Sequence, residues 1–121
     1  LPEAMFRLQR AVDEDIPALI GTALGRPLAP AHPGVISLWQ LRKGSWYHDT
    51  PPPDSPLRYL IELTGAQWPE SWGGHAELGD DAPRALRWDQ LTILPSGCSL
   101  RFPVLRRHVS ALLIVGTLVA A

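Results

Sequence analysis

Cysteine is nearly absent from this chain: Cys98 is the single one among 121 residues. It has no internal disulfide partner, and one cysteine with four histidines lacks the paired spacing of a structural zinc site. A reducing, cytoplasmic setting is therefore expected. Neither sign of charge dominates either. Eleven basic residues stand against twelve acidic ones, so there is no basic field to hold a phosphate backbone, and nucleic acid is not an expected partner. Long apolar runs are missing too. The longest, "ALLIVGTLVAA" at 111–121, falls well short of the roughly 20 residues that span a bilayer, and its composition suits a buried strand. No basic-then-apolar signal precedes the acidic "AVDEDIPALIG", so no membrane partner is expected. The chain begins with Leu1 rather than Met, which leads to the expectation of a trimmed, processed or unobserved start.

A chain of this length supports one core, so residues 1–121 are expected to form a single domain. In "DEDIPALIGTALGRP", Ile16, Leu19, Ile20, Ala23 and Leu24 recur at helical spacing. Asp13 or Asp15 is placed to cap the start, and Gly25 with Pro27 to end the helix. After "APAHPG" the pattern changes. "VISLWQL", "LRYLIEL", "AELG", "ALRW", "LTILP", "SLRF" and "VSALLIVGTLV" are short β-prone runs divided by Gly, Pro, Asp and Ser. Such a succession, without an internal repeat, predicts an antiparallel sandwich or jelly roll with helix packed outside. The helical part is expected in 1–30 and the jelly-roll core in 35–119. The thirteen prolines cluster in connections, notably Pro51, Pro52 and Pro53, where they stiffen a loop.

The order of motifs from Val35 onward resembles the Fe(II)/2-oxoglutarate-dependent oxygenases, in particular their prolyl 4-hydroxylase-like branch. "LWQLRKGSWYHDT" is similar to the strand carrying that family's His-x-Asp metal motif. "PLRYLIELTGAQWPESWGGHAEL" is similar to the next strand and its Trp-to-Gly-Gly turn. "APRALRWDQLTILPSGCSLRFPV" is similar to the stretch that reaches the second metal histidine, and "RRHVSALLIVGTL" to the last strand with its 2-oxoglutarate anchor. The resemblance covers about residues 15 to 119, with "WPESWGG" and "DQLTILPSG" as its most specific parts. It implies a mainly β fold, a double-stranded β-helix (jelly roll) with one or two N-terminal helices outside. It further implies Fe(II) held by two histidines and a carboxylate, and 2-oxoglutarate paired with an arginine.

Carried onto this sequence, the resemblance gives a degenerate metal set. The candidate ligands His48 and Asp49 are adjacent, whereas ligands on one strand face need a spacer between them. If Asp49 keeps the carboxylate position, Tyr47 holds the histidine position; if His48 keeps its own, Thr50 replaces the carboxylate. Arg101 stands about where the distal histidine belongs, and a guanidinium has no lone pair for a metal. An Asp49–Arg101 salt bridge filling the cavity is one expectation. Arg107, Arg106 and Ser110 are the 2-oxoglutarate anchor candidates, and Trp46, Tyr47 and Arg101 the pocket candidates. His108 is a substitute ligand to be tested, whereas His75 reads as a surface or core-edge residue, His32 as structural or solvent-facing, and Cys98 as packing. The tryptophans Trp39, Trp68, Trp72 and Trp88 read as core and turn residues.

Three functions follow as alternatives. The first is an oxygenase-like pseudoenzyme without its metal triad, serving another protein subunit or a homo-oligomer as a partner. The second is an active dioxygenase with atypical ligands, using Fe(II) and 2-oxoglutarate to hydroxylate a C–H bond. The third is a jelly-roll module for a small ligand, with Trp46 and the Pro51–Pro53 loop as one wall.

Overall fold

A computed structural model describes residues 2–65, 67–79 and 90–121. The strand expected at "ALRW", with Trp88, lies outside these described residues. The chain opens with helix α1 (Glu3–Arg10), continues through a π-helical turn (Ala11–Asp15) and ends as α2 (Ile16–Leu24), with right-handed helical backbone at both junctions. Pro17 explains the widened turn: it has no N–H to give to the carbonyl four residues back, at Asp13. Asp13 and Asp15 are thus interior to the helix and do not cap its start, while Gly25 does close it. Val12, Pro17, Ile20 and Gly21 face inward, and Leu19 and Leu24 of the expected apolar stripe are exposed.

Among the described residues, eight strands follow in two antiparallel sheets. The larger contains β1 (Leu28–Pro30), β2 (Leu38–Leu41), β4 (Leu57–Glu62), β6 (Leu91–Leu94) and β8 (Ala111–Ala120). The smaller contains β3 (Tyr47–His48), β5 (Glu77–Leu78) and β7 (Leu100–Phe102). Spatial order is β1-β8-β4-β6 in the first, with β2 also paired to β8, and β3-β7-β5 in the second. β1 falls inside the segment expected to be helical, because its three residues pair with the C-terminal end of β8.

Side-chain alternation divides β4 between two cores. Leu57 and Tyr59 pack with Val12, Ile20, Ile114 and Leu118 beneath the helix. Leu60 points the other way, joining Leu41, Leu94, Leu113 and Val115 against Leu100 and Phe102 of the smaller sheet. The same alternation sends Arg58 and Glu62 between the sheets. Trp68, Trp72 and Trp39 pack at the rim of that second core, as turn and strand residues were expected to. In the "WPESWGG" turn, Gly73 has φ +79°, and a Cβ there would lie 1.9 Å from the Val104 carbonyl oxygen. Only glycine permits so close an approach. Among the described residues, no helix is long and apolar enough to cross a membrane.

Candidate functional site

The interior polar site begins with strand parity. Tyr47 is aligned with Phe102 and His48 with Arg101, so the members of each pair share a face. Phe102 is buried and Tyr47 packs at the same core, which places His48 and Arg101 on the exposed outer face. Asp49, the next residue, turns inward again and bonds the opposing strand, its N–H donating to the Leu100 carbonyl at 3.0 Å. The adjacency of His48 and Asp49 therefore has its geometric outcome. The two side chains diverge, and neither a bulge nor a bend brings them together.

Asp49 is fully engaged. Its Oδ2 accepts from the Tyr47 hydroxyl at 2.7 Å and from Arg58 Nη1 at 2.5 Å. Its Oδ1 accepts from the Leu100 N–H at 3.0 Å and from Arg58 Nη2 at 3.2 Å. A carboxylate offers about four lone-pair positions, and here each is directed to a donor. Arg58 Nη2 also donates to the Cys98 carbonyl at 2.7 Å. The Arg58 and Asp49 side chains are only 16% and 19% exposed. Tyr47 is held in turn by Trp39, edge to face with ring centroids 4.6 Å apart.

These contacts set the charges. Burial pushes the Asp49 carboxyl up, but hydrogen bonds from Arg58, Tyr47 and the Leu100 amide outweigh it and hold the group below the usual carboxylate range. Burial, followed by the hydrogen bond to Asp49 and its charge, pushes the Tyr47 phenol up. At neutral pH the site is a carboxylate, a guanidinium and a neutral phenol.

The expected Asp49–Arg101 pair does not form. Asp49 takes its cation from β4, and Arg101, with a side chain 57% exposed, lies with its Nε 3.4 Å from Glu77 on the outer face. Strand β7 turns Leu100 inward beside Asp49, so Arg101 has the wrong parity for an interior position. Trp46, 69% exposed, stands outside the pocket expected of it, and the Pro51–Pro53 loop meets the β6–β7 turn, with Pro53 Cα 3.0 Å from where a Cβ on Gly97 would lie. Arg106, Arg107 and Ser110 are exposed before the start of β8. Arg58 is aligned with Thr117, six positions beyond Ala111, or roughly 20 Å along a strand. Arg107 lies over Trp72 at 5.7 Å, and the Arg106 N–H donates to the Trp72 carbonyl. His108 approaches Lys43 Nζ at 3.1 Å on the surface. His75 lies 3.4 Å from Glu77, with its Nδ1 buried and unbonded among the described residues.

The donor set present does not fit Fe(II) with 2-oxoglutarate. Asp49 has no lone pair left for a metal, His48 faces away, and a permanent cation already neutralises the carboxylate. Among the described residues, no three His, Cys, Asp or Glu side chains converge as a metal group. Sequence reasoning missed Arg58. Its signal was present: in "LRYLIEL" the run is apolar on both faces, so an arginine inside it must bury its charge against a partner.

No family model matches the chain, and no curated protein matches it. A solved structure does: the crystal structure of an oxidoreductase of the 2OG-Fe(II) oxygenase family from Burkholderia pseudomallei, with TM-score 0.64 and 14% sequence identity. The likeness covers 98% of this chain and 56% of that one, so the chain spans little more than half of that protein's length. The two antiparallel sheets are thus those of a double-stranded β-helix as found in that oxygenase. At this identity the likeness establishes the fold.

Proposed function

We propose that the chain is a non-catalytic domain on the oxygenase fold, related to the prolyl 4-hydroxylase-like branch, that serves another protein subunit or a second copy of itself as a binding partner. The reading rests on one observation above all: every acceptor position of the inward carboxylate is taken, two of them by Arg58. In this reading Tyr47 and Asp49 stand at the positions of the family's first histidine and its carboxylate. The tethered guanidinium takes the role of the dication as counter-charge. A side chain cannot dissociate, open a coordination position or change oxidation state, so the interior retains the electrostatics of a filled site without its reactivity.

Metal analysis of the purified chain, followed by calorimetric titration with Fe(II) and 2-oxoglutarate under anaerobic conditions, tests the reading. Neither stoichiometric iron nor 2-oxoglutarate-dependent heat is expected, and no succinate should be released under air. Tight one-to-one iron binding by the unaltered chain would overturn it. Size-exclusion chromatography over a concentration series separates self-association from a need for another subunit.

A further inference from the structure

A gap in the larger sheet opens a second chamber. β1 and β2 share one edge of β8 but do not meet: Pro30 is aligned with Leu118 and Leu38 with Ile114. Residues 31–37 cross this short gap and so must bow away from the strand. They touch β8 through the Ala31 N–H, which donates to the Thr117 carbonyl at 2.9 Å, and the Ser37 carbonyl, which accepts from the Val115 N–H at 3.1 Å. Between loop and strand lies a cavity of about 360 Å³ walled by Val12, Val35, Ile114 and Leu118, with Tyr59 in its lining and Arg58 and Trp39 at its inner side. That volume equals roughly a dozen waters at ~30 Å³ each, within the range of small-molecule sites.

Two features make this more than a packing fault. Tyr59 is 1% exposed and lines the chamber, and none of the side-chain hydrogen bonds among the described residues engages its hydroxyl, which leaves that group available to a ligand. Its ring lies across β8 at Gly116, where a Cβ would fall 2.0 Å from the ring and 2.4 Å from the hydroxyl oxygen. Glycine at this register carries the phenol over the strand to the gap. The mouth is also fastened, since both Asp13 carboxylate oxygens accept from the Gly34 N–H, at 3.2 and 3.3 Å. Asp13 belongs to the π-helical turn, a type of distortion often found at functional sites.

Charge selects the occupant. Burial and the Asp13 charge push the Tyr59 phenol up, so it remains a donor at neutral pH. The Arg58 charge is committed to Asp49. The Asp13 charge felt at Tyr59 opposes an anion there, whereas a neutral oxygen meets the phenol as a donor, with His32 as a further polar group in the lining. We propose that this chamber binds a small neutral carbonyl compound, its oxygen accepting from Tyr59 and its aliphatic or aromatic body lying against Val12, Val35, Ile114 and Leu118. Iron plays no part in such binding, so the inference holds or fails independently of the reading of the interior pair.

Amide NMR titration of the full chain with cyclohexanone, and with cyclohexanecarboxylate as its anionic counterpart, is the test. The ketone should shift the resonances of Gly34, Gly116 and Thr117, and the carboxylate should bind about tenfold more weakly or less. Tyr59→Phe should weaken the ketone about three- to tenfold, the value of one hydrogen bond. Val35→Trp, at the exposed mouth, should block it while leaving the remaining spectrum folded, and decides the matter if Tyr59→Phe does not fold. The proposal is overturned if the ketone leaves those amides unmoved, if the carboxylate binds as well, if the ketone's affinity survives Tyr59→Phe, or if it survives Val35→Trp.

Discussion

Replacing Arg58 by methionine removes the cation and keeps most of the side chain's volume. Asp49 then retains the Tyr47 hydroxyl and the Leu100 N–H but loses both guanidinium bonds. Removing one partner of a fully buried ion pair costs about 3–5 kcal/mol; with side chains 16% and 19% exposed and two donors left, about 2–3 kcal/mol is appropriate here. The Cys98 carbonyl loses its bond as well, adding about 1 kcal/mol. A total of about 3–4 kcal/mol is a large part of the ~5–15 kcal/mol typical of a domain. The double replacement Asp49→Leu with Arg58→Met should recover most of this, leaving about 1–2 kcal/mol for the stranded Tyr47 hydroxyl and Leu100 amide. The sign with pH follows from the depressed carboxyl. In the unaltered chain Asp49 contributes stability that is fully present above its unfolded pKa of about 3.9 and is lost as pH falls through its lower folded value. Without Arg58 the carboxyl loses its largest lowering influence and its folded pKa rises relative to the unaltered chain, so the cost of Arg58→Met should be greater at pH 7 than at pH 4. Guanidinium unfolding followed by tryptophan fluorescence at both pH values gives all four corners of the cycle. A coupling below about 0.5 kcal/mol, or a cost for Arg58→Met that does not shrink in acid, would refute the account of this pair.

Two further outcomes follow from strand parity. Arg101→His places an imidazole on the outer face beside Glu77 and away from Asp49, so iron titration should show no gain in binding and urea unfolding a change within about 1 kcal/mol; acquisition of tight iron binding would show that β7 has a different register. Gly116→Ala drives a Cβ into the Tyr59 ring and should cost about 3 kcal/mol in thermal or urea unfolding, and a change under about 1 kcal/mol would mean the ring does not cross β8 there.

The strand sequence was legible because the runs "LRYLIEL", "LTILP" and "VSALLIVGTLV" are apolar, β-branched and bounded by turn residues; the first two form strands within those limits, and the third a strand that runs one residue past its end, to Ala120. The helix was read too short because α1 buries no residue, so the periodicity of an inward stripe had nothing to mark there. The site was legible only in part. Asp49 stands inside, but which residue opposes it depends on register between β3 and β7, and a shift of one position exchanges Leu100 for Arg101. Motif order in a single chain does not specify that register. Glu62 shows the opposite case, a buried carboxylate satisfied within its own turn by the Thr64 hydroxyl and the N–H groups of Thr64 and Gly65. Local partners of this kind follow from sequence proximity, whereas the nine-residue separation of Asp49 from Arg58 joins two sheets.

The choice of β4 as the source of the cation has a thermodynamic consequence. A metal that binds the folded state stabilises it by an amount that grows with free metal concentration, so a metal-dependent core is only as stable as its supply. Arg58 is delivered at fixed effective concentration by a strand paired on both sides, to β6 through Leu94 and to β8 through Thr117. The desolvation cost of the guanidinium is met once, at folding, by Asp49 and the Cys98 carbonyl. With the carboxylate neutralised by a tethered cation, the folding of the core does not depend on a bound ion. An outward His48 and an inward Leu100 are both compatible with a folded domain for that reason, while the Asp49–Arg58 pair ties the two sheets together.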